Sequence, residues 1–177
     1  MDELWRELNG VAVHRLSVGP KTEYQSMSKT HTFSPSMDKE FIYAQLIRNL
    51  ESACAKARAY KFVAKRVSFH LKTQTFNYSG LDFNLTRASA IPQELAHLIR
   101  PHYDKIFKPG VLYRATGIAL SNLLPADSVQ RSLFEPKLQI DKMSNLYRSI
   151  DQVNSKYDHK VLHLFSSSQA RYNDHNN

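Results

Sequence analysis

The sequence predicts an α+β domain with the order βαββαβ. This is the split-βαβ (ferredoxin-like) arrangement, in which two helices cover one face of a four-stranded antiparallel sheet. Three observations predict it. Four stretches suit strands, and the clearest of them alternate apolar and polar residues with a period of two. Two others repeat apolar residues every three or four positions, and turn residues separate the stretches. We expect this domain to occupy residues 24–124.

The first strand is predicted over 24–33 and the first helix over 38–60. The strand places a row of small hydroxyl side chains on one face, namely Ser26, Ser28, Thr30 and Thr32. The helix has Asp38 and Glu40 in its first turn, where the helix dipole favours acidic residues. Cys54 lies in the apolar stripe of the helix, so we interpret it as a core residue.

The second strand, over 62–75, has the most informative pattern. Val67, Phe69 and Leu71 point to one face, while the opposite face carries Arg66, Ser68, His70 and Lys72. The run 64–72 contains no acidic residue. This outward face therefore suits an anionic partner, although a merely solvated face has the same pattern.

The remaining elements complete the sheet. A turn at 77–80 precedes the third strand, which runs over 81–87 with Leu81, Phe83 and Leu85 inward. The second helix follows over 91–107, and Pro101 is expected to kink or interrupt it. In the fourth strand, over 111–124, small residues (Ala115, Gly117, Ala119 and Ser121) lie opposite Ile118 and Leu120 and permit close approach of a large partner.

The charge of the chain is concentrated in the predicted sheet. The 177 residues have a net charge of +8, and residues 61–121 contribute nine basic and three acidic groups, or +6 of that total. A local basic excess on strands indicates a polyanion, and nucleic acid is the commonest one. The single cysteine fits a reducing compartment. No apolar run is long enough to span a membrane and the start is not a signal peptide, so we expect a cytoplasmic protein.

The residues before and after the predicted sheet domain form several shorter segments. Residues 1–10 form a short helix that either ends a preceding domain or docks on this one, and 11–23 form a linker. After the sheet, residues 125–136 have no periodicity and contain an apolar pair that suits a docking peptide. We expect a helical extension over 137–165 and a disordered tail over 166–177.

Several motifs in this order resemble the C-terminal part of Y-family translesion DNA polymerases. Tyr24–Phe33 (YQSMSKTHTF) and Arg114–Leu123 (RATGIALSNL) resemble the first and last strands of their little finger domain. Leu4–Gly10 (LWRELNG) is similar to the closing helix of the preceding thumb domain. Gln130–Phe134 (QRSLF) resembles the sliding-clamp-binding peptide of bacterial polymerases, and 142–162 resembles the C-terminal helix of bacterial DNA polymerase IV.

The resemblance covers residues 4–162, and only 73–80 departs from the usual hairpin of the family. Because residue 1 then falls just inside a thumb-like helix, we expect a truncated chain or a split reading frame.

The resemblance implies a DNA-gripping region that contacts the phosphates of primer and template without reading sequence. The residues it assigns to DNA are Ser26, Ser28, Lys29, Thr30, Arg66, Ser68, His70, Lys72, Arg87 and Arg114. It assigns Gln130, Leu133 and Phe134 to the sliding clamp. Its other implied partners are the catalytic N-terminal domains of the same polymerase, acting at the bacterial nucleoid, with no membrane.

The resemblance also implies that this chain is not itself an enzyme. In the family, metal-binding palm carboxylates perform nucleotidyl transfer during translesion synthesis and DNA repair, and the acidic residues here are scattered. We therefore expect no cofactor in this chain, with Mg²⁺ only in the palm of the parent DNA-directed DNA polymerase.

Two other readings remain open. An RNA-recognition domain is also βαββαβ, but it stacks bases on aromatic residues of its two central strands. A small ferredoxin-like enzyme or regulatory subunit that binds an anionic ligand is the third class, and the absence of a catalytic motif disfavours it.

Overall fold

The four predicted strands form one antiparallel sheet in a computed structural model, which describes residues 2–13, 24–128, 137–157 and 160–172. The strands are β1 (Ser26–Ser36), β2 (Phe62–Thr73), β3 (Tyr78–Ser89) and β4 (Tyr113–Pro125). Their spatial order is β1-β4-β2-β3, so β4 lies between β1 and β2, and β2 lies between β3 and β4. Each βαβ unit is thus split by a strand of the other, which confirms the predicted fold class.

Helices α2 (Lys39–Ala59) and α3 (Pro92–Ile106) cover one face of the sheet. The predicted inward residues form the core against them: Val67, Phe69, Leu71, Ile118 and Leu120 are each at most 2% exposed. The Asp38 carboxylate accepts hydrogen bonds from the backbone N–H groups of Glu40 and Phe41 and so begins α2. Pro101 lies inside α3 without ending it.

In the described residues, four shorter helical pieces and one long helix flank this sandwich. They are α1 (Asp2–Leu8), a 3₁₀ turn at Ala126–Ser128, α4 (Lys137–Asn154), and a second 3₁₀ turn at Phe165–Ser167 that leads into α5 (Ser168–Tyr172). Leu4, Trp5 and Leu8 of α1 are 66%, 66% and 80% exposed, so α1 does not bury its apolar side chains on the described part of the domain. Within the described ranges, no helix combines the length and apolar character needed to cross a membrane.

The turn predicted at 77–80 is misplaced. The chain turns at residues 74–77, and Tyr78 and Gly80 already belong to β3. A Cβ atom on Gly80 would lie 2.5 Å from the carbonyl oxygen of Phe69 on the neighbouring strand. Gly80 therefore allows β2 and β3 to approach each other closely, and it does not form the turn between them.

The tail predicted to be disordered from residue 166 is ordered through residue 172. Ser167 and Ala170 are fully buried, and Ser167 Oγ donates a hydrogen bond to Glu51 Oε2 at 2.8 Å. The polar composition of the tail hid this docking because its partners lie on α2, more than a hundred residues away in the chain. Residues 173–177 lie outside the described residues, as do 14–23 of the predicted linker and 129–136 of the predicted clamp peptide.

Candidate nucleic-acid interface

The side of the sheet that faces away from α2 and α3, called the open face here, presents sixteen side-chain positions in four rows. Antiparallel pairing fixes each row because directly opposed residues share a face. In the strand order β1, β4, β2, β3, the rows are Ser26, Ser121, Arg66, Asn84; then Ser28, Ala119, Ser68, Asp82; then Thr30, Gly117, His70, Gly80; then Thr32, Ala115, Lys72, Tyr78.

Each strand contributes one kind of side chain to the open face. The edge strand β1 supplies hydroxyl groups, β4 supplies small residues, and β2 supplies three potentially cationic groups and one serine. Between them lies a shallow groove of about 430 Å³ whose lining includes Ser28, Thr30, Ser68, His70 and Asp82. A phosphate backbone can therefore come close to the strands and meet hydroxyl and cationic donors there.

His70 lies across Gly117 at the centre of the open face. A Cβ atom on Gly117 would lie 2.2 Å from His70 Cε1 and 2.7 Å from Thr30 Oγ1, so only glycine leaves room for the ring. Burial, and then the positive charge of Lys72, lower the pKa of the His70 imidazole below its ordinary value. His70 is consequently a neutral hydrogen-bonding group near pH 7, unless an approaching anion raises its pKa.

An acidic side chain modifies the charge of the open face. Arg66 forms an ion pair with Asp82 of β3, and about half of each side chain is exposed. Lys72 contacts aromatic rings instead: its Nζ atom lies 4.7 Å from the Phe76 ring centroid and 4.9 Å from that of Tyr78. Of these two cations, Arg66 is thus paired with a carboxylate, whereas Lys72 lies against aromatic rings.

Seven of the ten residues assigned to DNA by the sequence share the open face: Ser26, Ser28, Thr30, Arg66, Ser68, His70 and Lys72. Lys29 does not, because it pairs with the core-facing Ile118 and points to the helix side of the sheet edge. Arg87 forms an ion pair with Glu94 of α3 at 2.6 Å, which holds it away from the open face. The Arg114 guanidinium lies at the rim, 4.8 Å from the Phe76 ring centroid.

The sequence prediction missed four residues that belong to this surface or its rim: Phe76, Tyr78, Asp82 and Asn84. The last three alternate with Leu81, Phe83 and Leu85 on β3. Extending the period-two pattern back to Tyr78 would have found them, but the turn-like residues at 77–80 obscured it. Gln130, Leu133 and Phe134, which the resemblance assigns to the sliding clamp, lie outside the described residues.

Two other potentially reactive side chains in the described part of the chain, Cys54 and His102, pack within the fold. Cys54 is fully buried in the core, as predicted, and burial raises the pKa of its thiol to about 12. His102 stacks on Phe83 with ring centroids 4.8 Å apart. The described ranges contain no group of three or more histidine, cysteine, aspartate or glutamate side chains arranged to hold a metal ion.

Comparisons with known proteins agree with this geometry. Residues 24–133 match the model of the impB/mucB/samB family C-terminal domain. A structure described as an insertion ternary complex of Dbh DNA polymerase shares the fold, with a TM-score of 0.51 and 10% identity over 68% of this chain and 34% of that one. No curated protein sequence matches the chain.

Two further solved structures are similar to this chain. One is DinB from Sulfolobus solfataricus, with a TM-score of 0.48 and 12% identity over 55% of this chain and 28% of that one. The other is a complex of the beta-clamp processivity factor with the little finger domain of PolIV, with a TM-score of 0.45 and 18% identity over 62% of this chain and 99% of that one. The aligned part spans about a third of the length of the Dbh polymerase. The chain therefore belongs to the impB/mucB/samB family, whose C-terminal domain it contains.

Proposed function

We propose that this chain is the DNA-gripping region of a Y-family translesion polymerase and that its open face holds the phosphate backbone of duplex DNA. The observation that carries the proposal is the register of the open face. It aligns hydroxyl groups of β1, small residues of β4 and basic groups of β2 side by side, on the face of the sheet opposite the helices.

The chemistry of these side chains suits phosphate rather than base edges. Serine and threonine hydroxyls donate to phosphate oxygens, and the lysine supplies charge, but neither kind of contact distinguishes one sequence from another. Arg66 could read guanine through two hydrogen bonds, yet Asp82 competes for its guanidinium. We infer that binding is sequence-independent and depends strongly on salt.

The arrangement of aromatic residues argues against the RNA-recognition alternative. Such a domain stacks bases on aromatic side chains of its two central strands. Here the central strands are β2 and β4, and their open-face positions contain no phenylalanine, tyrosine or tryptophan.

We further infer a non-catalytic role within a longer polymerase. The matching family model describes a C-terminal domain, and the chain aligns with about a third of the Dbh polymerase. In this role the chain supplies the grip on DNA, while nucleotidyl transfer belongs to other domains.

Sliding-clamp docking is the second part of the proposal. It rests on the sequence Gln130-Arg131-Ser132-Leu133-Phe134, which follows β4 and the 3₁₀ turn at Ala126–Ser128. A short segment with an adjacent leucine and phenylalanine can insert both side chains into an apolar groove of a partner, while Gln130 hydrogen-bonds beside it.

Binding of the 177-residue chain to a blunt duplex, measured at several salt concentrations, tests the DNA proposal. We expect a dissociation constant of about 10⁻⁴–10⁻⁶ M near physiological salt. Lys72→Ala should weaken binding equally for unrelated sequences and reduce the magnitude of the salt slope by about one. Asp82→Asn should instead tighten binding, because it removes a negative charge and releases Arg66.

Lys105→Ala is the matched control, because it removes the same charge from an exposed position of α3, the helix on the opposite side of the sheet. If Lys105→Ala and Lys72→Ala reduce affinity alike, the binding reports net charge only and the open face is not the interface. A change of sequence preference in Lys72→Ala would contradict backbone gripping.

A further inference from the structure

The turn between β2 and β3 carries two exposed aromatic side chains beside two cations. Phe76 is 60% exposed and Tyr78 is 62% exposed. Lys72 Nζ lies 4.7 Å and 4.9 Å from the centroids of these two rings, and the Arg114 guanidinium carbon lies 4.8 Å from the Phe76 centroid. These four residues, Lys72, Phe76, Tyr78 and Arg114, are called the aromatic–basic cluster below.

The backbone at Phe76 shows that local stability does not explain this residue. Phe76 has a φ of 66°, in the left-handed region that favours glycine and asparagine and is unfavourable for a bulky side chain. The turn itself is held by other groups, since Thr73 N donates to Asn77 O at 2.9 Å and Gln74 N donates to Leu112 O at 2.8 Å. A phenylalanine here adds backbone strain and leaves most of its ring in solvent, an arrangement that is typical of ligand-binding positions.

The chemistry of the cluster fits a nucleotide whose base is unpaired. An exposed ring offers a face on which any base can stack, and adjacent lysine and arginine side chains attract the phosphate. Within a duplex, the faces of the bases are already covered by their neighbours. An unpaired nucleotide of a single strand, by contrast, has a free face to offer.

The position of the cluster connects it to the proposed duplex site. Lys72 and Tyr78 form the fourth row of the open face with Thr32 and Ala115, and Phe76 lies just beyond this row in the turn. DNA held on the hydroxyl and small residues of the first three rows would thus meet the aromatic rings where it leaves the sheet.

We propose that the aromatic–basic cluster stacks an unpaired base of a single strand that extends from the duplex held on the open face. This inference rests on the proposed DNA-gripping function and adds a second class of DNA structure to it. The two aromatic rings of the cluster contribute affinity for duplexes with a single-stranded extension and none for blunt duplexes, whereas Lys72 also contributes to holding the blunt duplex.

The test compares fluorescently labelled duplexes that share one sequence and differ only at the end: blunt, with a short 5′ deoxythymidine extension, or with the same extension at the 3′ end. The wild-type chain should bind at least one extended duplex about five-fold or more tightly than the blunt one, the low end of the range for stacking one base. Phe76→Asn should lose most of this gain and bind the blunt duplex as the wild type does. Its melting temperature should equal or exceed that of the wild type, because asparagine tolerates the left-handed conformation.

Phe165→Asn is the matched control, because it removes a phenylalanine that is 92% exposed on the C-terminal segment rather than at the open face. This variant should keep the full gain. The proposal is overturned if Phe76→Asn retains the gain, or if it weakens blunt and extended duplexes equally, since the ring would then only position Lys72 and Arg114. If the wild-type chain binds blunt and extended duplexes with equal affinity, only this inference is wrong. If it binds no DNA at all, the proposed function is wrong as well.

Discussion

Two glycines beside His70 make room for their neighbours in physically different ways. A Cβ on Gly80 would meet the backbone carbonyl oxygen of Phe69 at 2.5 Å, whereas a Cβ on Gly117 would meet the end of the His70 ring at 2.2 Å. A backbone atom inside a paired strand cannot move without breaking the ladder, but an imidazole can rotate away. The clash at the shorter distance, at Gly117, therefore carries the smaller cost.

We expect Gly80→Ala to lower the free energy of unfolding by about 2–3 kcal/mol and Gly117→Ala by only about 1 kcal/mol, within the range for overpacking. Urea denaturation of both variants measures the difference. As a control, His70→Ala combined with Gly117→Ala should recover most of the cost of Gly117→Ala, because the clashing ring is absent. A larger cost for Gly117→Ala than for Gly80→Ala would show that the His70 ring is as fixed as the backbone.

At the scale of elements, a partly buried ion pair attaches α4 to the sandwich. Arg58 Nε and an Arg58 terminal nitrogen donate to the Asp151 carboxylate at 2.6 and 2.7 Å, and the other terminal nitrogen donates to Ala90 O at 2.6 Å. The guanidinium also lies 5.0 Å from the ring centroid of Tyr147, which is only 4% exposed. A single arginine thus joins α2, the end of β3 and α4.

The more exposed ion pair between Arg66 and Asp82 on the open face is a matched comparison for the pair between Arg58 and Asp151. We expect Asp151→Ala to lower the free energy of unfolding by about 2–3 kcal/mol, because it leaves a mostly buried guanidinium without its carboxylate. Asp82→Ala removes the partner of the half-exposed Arg66 and should cost less than about 1 kcal/mol. Urea denaturation of the two variants compares them directly. Similar losses would mean that solvent screens both pairs alike and that α4 is held mainly by apolar contacts.

Across the whole molecule, α2 is covered on two sides. The sheet covers one side, and the C-terminal segment covers another through Glu51, which is 8% exposed and accepts hydrogen bonds from Leu164 N, Ser167 Oγ and Arg171. On the sheet side, the side-chain amide of the buried Asn49 donates to Thr116 O and Thr116 Oγ1 of β4 at 2.9 and 3.0 Å. The contacts with Glu51 also attach the chain on the far side of the proposed clamp peptide firmly to the domain.

The clamp peptide is therefore expected to act as a segment fixed at both ends, between β4 and α4. The 177-residue chain should bind a bacterial sliding clamp in a titration by surface plasmon resonance. Leu133→Ala with Phe134→Ala should abolish that binding, because the two apolar side chains supply most of the contact. Leu138→Ala with Phe165→Ala, two highly exposed apolar residues elsewhere in the C-terminal region, is the control that should bind normally. Equal binding by all three proteins would place the clamp contact outside Gln130–Phe134.

The sequence by itself determined the four strands, the two helices and the faces on which the alternating residues of β1, β2 and β4 lie. These properties follow from side-chain periods of two and of about 3.6 residues, which are local. For this reason the hydroxyl row of β1, the small row of β4 and the basic row of β2 were all predicted on the face where they lie.

Only the tertiary structure decided which of these groups meet. It placed β4 between β1 and β2, paired Arg66 with Asp82, and docked the polar tail on Glu51. It also assigned Gly80 to a strand and Phe76 to the turn. Each of these outcomes depends on a partner that is distant in the chain or on one clash between neighbouring strands, and no local pattern of residues encodes either.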